Sequence, residues 1–261
     1  MSSALLFGVS TQAHAETITS DHIEWGHLNP LRGDASPRAG KLWGDRTQDE
    51  ASGFLVKFEQ GFSSPPHIHN ITYRGVVIKG RVHNDDPKAE NLWLPAGSFW
   101  IQPAGEAHIT AAKDQENMAY IEIDSGPYLV QPEDMAFDNG ERPINVDQSN
   151  LVWLDASDIE WIGEDVNAKR AFLWGDTQAG ELNGNLIKLP AGFDGTINNQ
   201  GEIFHAVIIS GTAAYKENGE AVTLEAGNYF GAEKADTHHI SAEDETIIYV
   251  RTNNKFNILD K

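Results

Sequence analysis

In Gly61–Gly80, GFSSPPHIHNITYRGVVIKG, a Pro-Pro pair precedes His-Ile-His, and a β-branched run then closes on glycine. The run reads as a strand, because β-branched residues favour the pleated conformation and glycine and proline punctuate its ends. Residues two apart on a strand face the same side. His67 and His69 therefore project together, and Ile71, Tyr73, Gly75 and Val77 share their parity. A single strand histidine is more often a satisfied core or surface residue than a ligand. Two on one face, behind a rigid Pro65-Pro66, suit a different use, since neutral imidazole is the commonest metal ligand and a same-face pair can hold one ion.

The surroundings of this stretch occur twice. KLWGDRT at Lys41–Thr47 returns as FLWGDTQ at Phe172–Gln178, and GFLVKFEQGF, ending at Phe62, returns as GNLIKLPAGF, ending at Phe193. Trp43 and Trp174, Gly61 and Gly192, and Gly80 and Gly211 all keep one offset of 131. Two copies of one fold are expected. In each, short alternating runs such as GFLVKF, RGVVIKG and MAYIEI are divided by Gly, Pro and Asn turns, and no sustained helical period competes with them. Many short strands with such turns mean an all-β sandwich or barrel. Between the copies, Val130–Asn150 is rich in Pro, Asp, Asn and Gly and reads as a linker or long connection.

A third histidine sharpens the pattern. PAGSFWIQPAGEAHIT supplies Gly97, Pro103, Gly105 and His108. Together with Gly61, His67, His69 and Gly80, these spacings resemble the two motifs of the cupin superfamily. More narrowly, the doubled chain looks like the bacterial bicupins of domain of unknown function 4437. The resemblance implies two tandem cupin (jelly-roll) β-barrels. With the repeat, the expected division is 1–15, a signal-peptide remnant or disordered tail; 16–135, an amino-terminal cupin with the metal site; 136–150, a linker; and 151–261, a degenerate carboxy-terminal cupin. The resemblance carries the site residues as well. It implies a metal held by His67, His69 and His108. The fourth cupin ligand is a glutamate seven residues before the closing glycine, and Tyr73 stands there. Tyr73 can pack on the imidazoles, ligate as a phenolate, or donate a hydrogen bond to dioxygen or substrate, and it is the candidate catalytic residue. Ala112 replaces the asparagine that usually ends the second motif.

In the second copy the slots of His67 and His69 map to Asn198 and Gln200, and that of Tyr73 maps to Phe204. His238 alone keeps its place, with His239 and His205 facing the other way. A structural or metal-free barrel is expected there, with a polar small molecule on Asn198, Gln200 and His238 as the minority alternative. Glu122 reads as a carboxylate that orients a ligand or is solvated at a strand end. Trp43, Phe58, Trp93, Trp100 and Tyr120 are expected to line or pack the first barrel, and His22, His27 and His83 to decorate turns.

Composition excludes other classes. The chain has 261 residues and a net charge of −20, which repels phosphate backbones, so no nucleic-acid partner is expected. There is no cysteine, hence no disulfide or thiolate ligand, and no apolar run approaches a membrane span. Ala13-His14-Ala15 after a short apolar run suggests secretory cleavage and a periplasmic or secreted protein, otherwise a cytoplasmic one. Three neutral histidines accept one divalent ion: Fe(II) is favoured, with Zn, Ni, Mn and Cu as alternatives. The all-histidine set is similar to that of cupin dioxygenases that cleave carbon–carbon bonds of diketone- or hydroxyketone-like substrates. The expectation is such a dioxygenase acting on a small-molecule substrate, or alternatively a non-catalytic metal- or small-molecule-binding sensor cupin. A homodimer is expected by analogy.

Overall fold

A computed structural model describes residues 16–261. The reading of residues 1–15 lies outside them. The described residues are all-β apart from four short 3-10 turns, and form two tandem jelly-roll barrels. Among the described residues, no helix is long and apolar enough to cross a membrane.

In the first barrel a seven-stranded sheet is built around Tyr73–Lys79, Asn117–Ile123 and Ser52–Phe58. Facing it are Arg81–Asp85 with Ile109–Ala112 and Leu94–Pro95, and a short pair, His67–His69 with Val130–Pro132. In the second, a six-stranded sheet that contains Phe204–Ser210, Thr246–Thr252 and Asn183–Leu189 faces a five-stranded sheet built on Phe193–Asn199 and Asp236–Ala242.

The large sheets pack back to back, so their central strands are buried on both faces and read as nearly continuous apolar runs. Period-two alternation sorts the two sets. In Ser52–Phe58, Phe54, Val56 and Phe58 enter the first barrel, whereas Leu55 enters the seam between barrels. The same seam takes Val76, Tyr120, Leu186, Val207 and Tyr249. Trp43 and Tyr120 therefore pack the seam rather than the first barrel, which corrects their expected place. Phe58 and Trp100 do pack inside it.

Edge strands are exchanged between the barrels. Glu16–Ile18 completes the second barrel's sheet beside Tyr229–Ala232, and Ile144–Val146 completes the first barrel's sheet beside Phe99–Gln102. The stretch 136–150, expected as a linker, thus contributes a strand.

A buried polar row crosses the seam. The Trp43 and Trp174 indoles donate to the Tyr120 and Tyr249 hydroxyls at 3.0 and 2.9 Å, and both tyrosines donate to Glu122 at 3.1 and 2.8 Å. Arg251 pairs with Glu122 at 3.3 Å and Asp124 at 2.6 Å, and Arg74 closes a two-pronged pair on Asp124. Glu122 is 1% exposed. It is neither solvated nor turned to the histidines, because its parity on Asn117–Ile123 is that of the seam. His83 also departs from expectation. It lies inside the strand Arg81–Asp85 and is fully buried, facing away from the barrel interior that its neighbour Asn84 enters.

Candidate metal centre

Two backbone segments bring the three imidazoles together. The strand His67–His69 supplies two from one face, and His108 arrives just before Ile109–Ala112, bridged to His67 by reciprocal backbone hydrogen bonds of 3.0 Å. Ring centroids are 4.3 Å apart for His67 and His108, 5.1 Å for His67 and His69, and 5.3 Å for His69 and His108. One ligand nitrogen from each lies within 4.8 Å of the others.

Each ring is oriented by the same device. Nδ1 of His67 meets the Pro65 carbonyl at 2.9 Å, that of His69 the Leu129 carbonyl at 2.9 Å, and that of His108 the Glu106 carbonyl at 3.1 Å. A carbonyl only accepts, so Nδ1 carries the proton in every case and Nε2 keeps its lone pair. A hydrogen bond on the far nitrogen that fixes the tautomer is the usual support of a metal-bound histidine. Burial lowers all three pKa values, that of His108 to about 3 and that of His69 well below the ordinary imidazole range, with His67 assisted by the Arg32 charge. The rings are therefore neutral at ordinary pH, as metal ligation requires.

Two tyrosines meet the same point. Tyr73, on the opposite sheet, approaches His108 Nε2 at 3.3 Å and donates to Asn84 Oδ1 at 2.9 Å. Asn84 is held by its own amide on Gln102 at 2.9 Å and accepts from Thr110 at 2.7 Å. Burial pushes the Tyr73 phenol up, so without an ion beside it the hydroxyl keeps its proton. Tyr128, which the spacing argument misses, stacks on His69 at 4.3 Å and lies 3.2 Å from its Nε2. It enters on the return segment leading to Val130–Pro132, after the last strand of the doubled pattern, where no motif offset points to it.

A cavity of about 360 Å³ opens onto these groups. Phe58, Phe62, Val56, Trp100 and Ile121 form its apolar wall, with Ser64, Asn84 and Thr110 as neutral polar points and Arg32 at the rim.

The second barrel carries no such centre among the described residues. Its strand pairing sets Ile197 opposite His238, where the first barrel sets His67 opposite His108. The equivalents of His67 and His69 are thus Ile197 and Asn199, one residue before the expected Asn198 and Gln200. A one-residue slip changes the face of every side chain. Gln200 is exposed, and Asn199 is tied to the Gly201 and Lys234 carbonyls at 2.9 and 3.1 Å. His238 is fully buried, stacked on Phe204 at 4.4 Å and bonded to the Tyr215 hydroxyl at 2.9 Å. Phe204, Phe230, Phe256 and Tyr215 fill the interior around it.

Residues 16–259 match the family described as Domain of unknown function (DUF4437). A comparison with curated proteins finds no match. Among solved structures, a putative dioxygenase from Nostoc punctiforme aligns at 15% identity with a TM-score of 0.70, over 96% of this chain and 87% of the other. Salicylate 1,2-dioxygenase from Pseudoaminobacter salicylatoxidans, in adduct with gentisate, aligns at 15% identity with a TM-score of 0.60, over 92% and 81%. A mutant oxalate decarboxylase from Bacillus subtilis aligns at 12% identity with a TM-score of 0.55, over 94% and 78%. At these identities the likeness is one of fold.

Proposed function

The chain belongs to the family of the domain of unknown function DUF4437, and on that footing we propose that it is a metal-binding bicupin with one active barrel. His67, His69 and His108 hold one divalent ion, Fe(II) before Zn, Ni, Mn or Cu. The activity proposed is a non-haem dioxygenase that cleaves a carbon–carbon bond of a small diketone- or hydroxyketone-like substrate. The support for a resident metal is the common orientation of the rings, three Nδ1–H groups each spent on a backbone carbonyl, with one ring nitrogen of each histidine within 4.8 Å of the others.

Bound there, Fe(II) would supply Lewis acidity toward a chelating substrate and one-electron chemistry toward dioxygen. The chain's own groups do the rest. The apolar wall of Phe58, Phe62, Trp100 and Ile121 excludes water and seats the body of the substrate. Asn84 holds the Tyr73 proton, so Tyr73 braces His108 as a neutral wall. Among the described residues, the Tyr128 hydroxyl has the His69 Nε2 lone pair as its acceptor. Were His69 Nε2 to serve as a ligand, the Tyr128 hydroxyl would be left to donate into the cavity, where it would stabilise charge developing on a substrate oxygen.

Metal analysis of protein purified without a histidine tag should find one ion per chain. Replacing His67, His69 or His108 with Ala should remove it, whereas His238→Ala should leave it. Two ions per chain, or one that survives the triple replacement, would overturn the assignment. Oxygen uptake with a panel of β-diketones and hydroxyketones then tests turnover. Export, which rests on Ala13-His14-Ala15, is part of the proposal, and mass spectrometry of protein from its host should find a mature chain starting at Glu16.

A further inference from the structure

Arg32 stands apart from the other arginines. Arg74, Arg81, Arg142 and Arg251 are in ion pairs, and Arg38, Arg46 and Arg170 reach neutral acceptors. The Arg32 guanidinium has neither kind of side-chain partner among the described residues, although it is half-buried against the cavity. No aspartate or glutamate lines that cavity, in a chain whose net charge is −20. Arg32 is the one side chain among arginine, lysine, aspartate and glutamate on that lining. A divalent ion on the histidines would add two more positive charges.

The segment that presents Arg32 is fixed at its base. In the 3-10 turn Pro30–Ala35, the Asn29 side chain accepts from the Leu31 amide at 3.1 Å. The Asn29 amide donates to Ser36 Oγ at 2.8 Å, and the Leu28 amide to the Pro37 carbonyl at 2.8 Å. Arg32 and His67 line the same cavity. A cation placed beside an apolar chamber, with its fork of donors unspent, matches a planar anion at one end of an otherwise apolar molecule.

We propose that Arg32 selects the ligand of this cavity, a small acid with an apolar body and one carboxylate-type group. The carboxylate pairs with the guanidinium at the rim, and the body lies along Phe58, Phe62 and Trp100 with its other end toward the histidines. Asn29 and Gln131 are neutral amides on the same lining. This deepens the dioxygenase reading by naming the substrate class, and its full form rests on that reading.

Benzoate and benzamide, of one shape and different charge, separate the two. With cobalt(II)-loaded protein, titrations followed by calorimetry and by the visible cobalt spectrum should give benzoate at least ~10-fold tighter binding than benzamide, as expected of a charge-assisted pair. Arg32→Gln should lose that preference, on the order of 10- to 100-fold in benzoate affinity, while benzamide affinity and cobalt stoichiometry stay the same. Arg32→Lys should keep part of it. If cobalt does not bind, the metal assignment fails, and the same two probes on the metal-free protein still decide the role of Arg32. Equal benzoate affinity in wild type and Arg32→Gln, or no preference for the anion with or without cobalt, would overturn the proposal.

Discussion

Tyr128 and Tyr73 bring two phenol oxygens to the same imidazoles, yet their hydrogens go to different places. Tyr73 gives its proton to Asn84 and Tyr128 gives its own to His69 Nε2. On the proposed reading, an ion on the histidines would take only the second acceptor, leaving the Tyr128 hydroxyl as a donor for substrate. Tyr128→Phe should therefore lower turnover on the order of 10²-fold with metal content unchanged, as for a lost oxyanion donor. Tyr73→Phe should cost clearly less. The check is metal analysis beside oxygen-uptake rates on the best substrate of the panel, and equal losses in the two variants would remove the distinction. His67, His69 and His108 are legible in sequence because strand parity and motif spacing fix them together. Tyr128 and Arg32 are not legible, since each comes from a segment outside the doubled strands and meets the site only through tertiary return of the chain.

At the scale of the strand, Tyr73–Lys79 has to place Tyr73 in the barrel while passing close beneath Trp100. Gly75 makes that approach feasible, because a Cβ there would overlap the Trp100 indole. Gly75→Ala should destabilise the protein by about 1–3 kcal/mol through overpacking. It should also reduce metal affinity, since Trp100 and Tyr73 share the wall. Urea midpoints with and without metal measure both effects. Strand identity is the part most open to sequence reading: GFLVKF, RGVVIKG and MAYIEI all form strands. What period-two reading misses is which interior each face enters, because Leu55 and Phe54 are both apolar and only the back-to-back packing separates them. The second barrel's slip at Ile197 is hidden for a similar reason. A constant offset at the flanking glycines conceals a one-residue change between them, and only the pairing with His238 exposes it.

For the whole molecule, two buried features set stability. Glu122 is acceptor to Tyr120 and Tyr249 and partner to Arg251. Glu122→Ala leaves a buried guanidinium with only Asp124 and two phenols without acceptors, so a loss of about 3–5 kcal/mol is expected in urea unfolding. A change below about 1 kcal/mol would show the pair to be dispensable. The second feature is His238, whose pKa burial lowers to about 4. Its folded value lies below its unfolded value near 6.5. The unfolded chain then binds the extra proton, and the contribution is fully present above about pH 6.5 and lost as pH falls toward about 4. That amounts to about 3 kcal/mol. His238→Gln should flatten the fall in the urea midpoint over this window, and an unchanged slope would exclude the residue as its source.

The seam has one more consequence. Gly53, Glu122 and Arg74 lie side by side across three strands of the first barrel, and Gly184, Arg251 and His205 lie side by side at the matching places of the second. Trp43 is covered by His205 at 3.9 Å, and Trp174 by Arg74 at 3.6 Å. The tryptophans and tyrosines are the same in both halves, but the central charge has opposite sign. Two first halves face to face would set carboxylate against carboxylate, and two second halves guanidinium against guanidinium, with no water to screen them. The halves share an outline and are no longer interchangeable: each recognises its sibling and rejects a twin of itself.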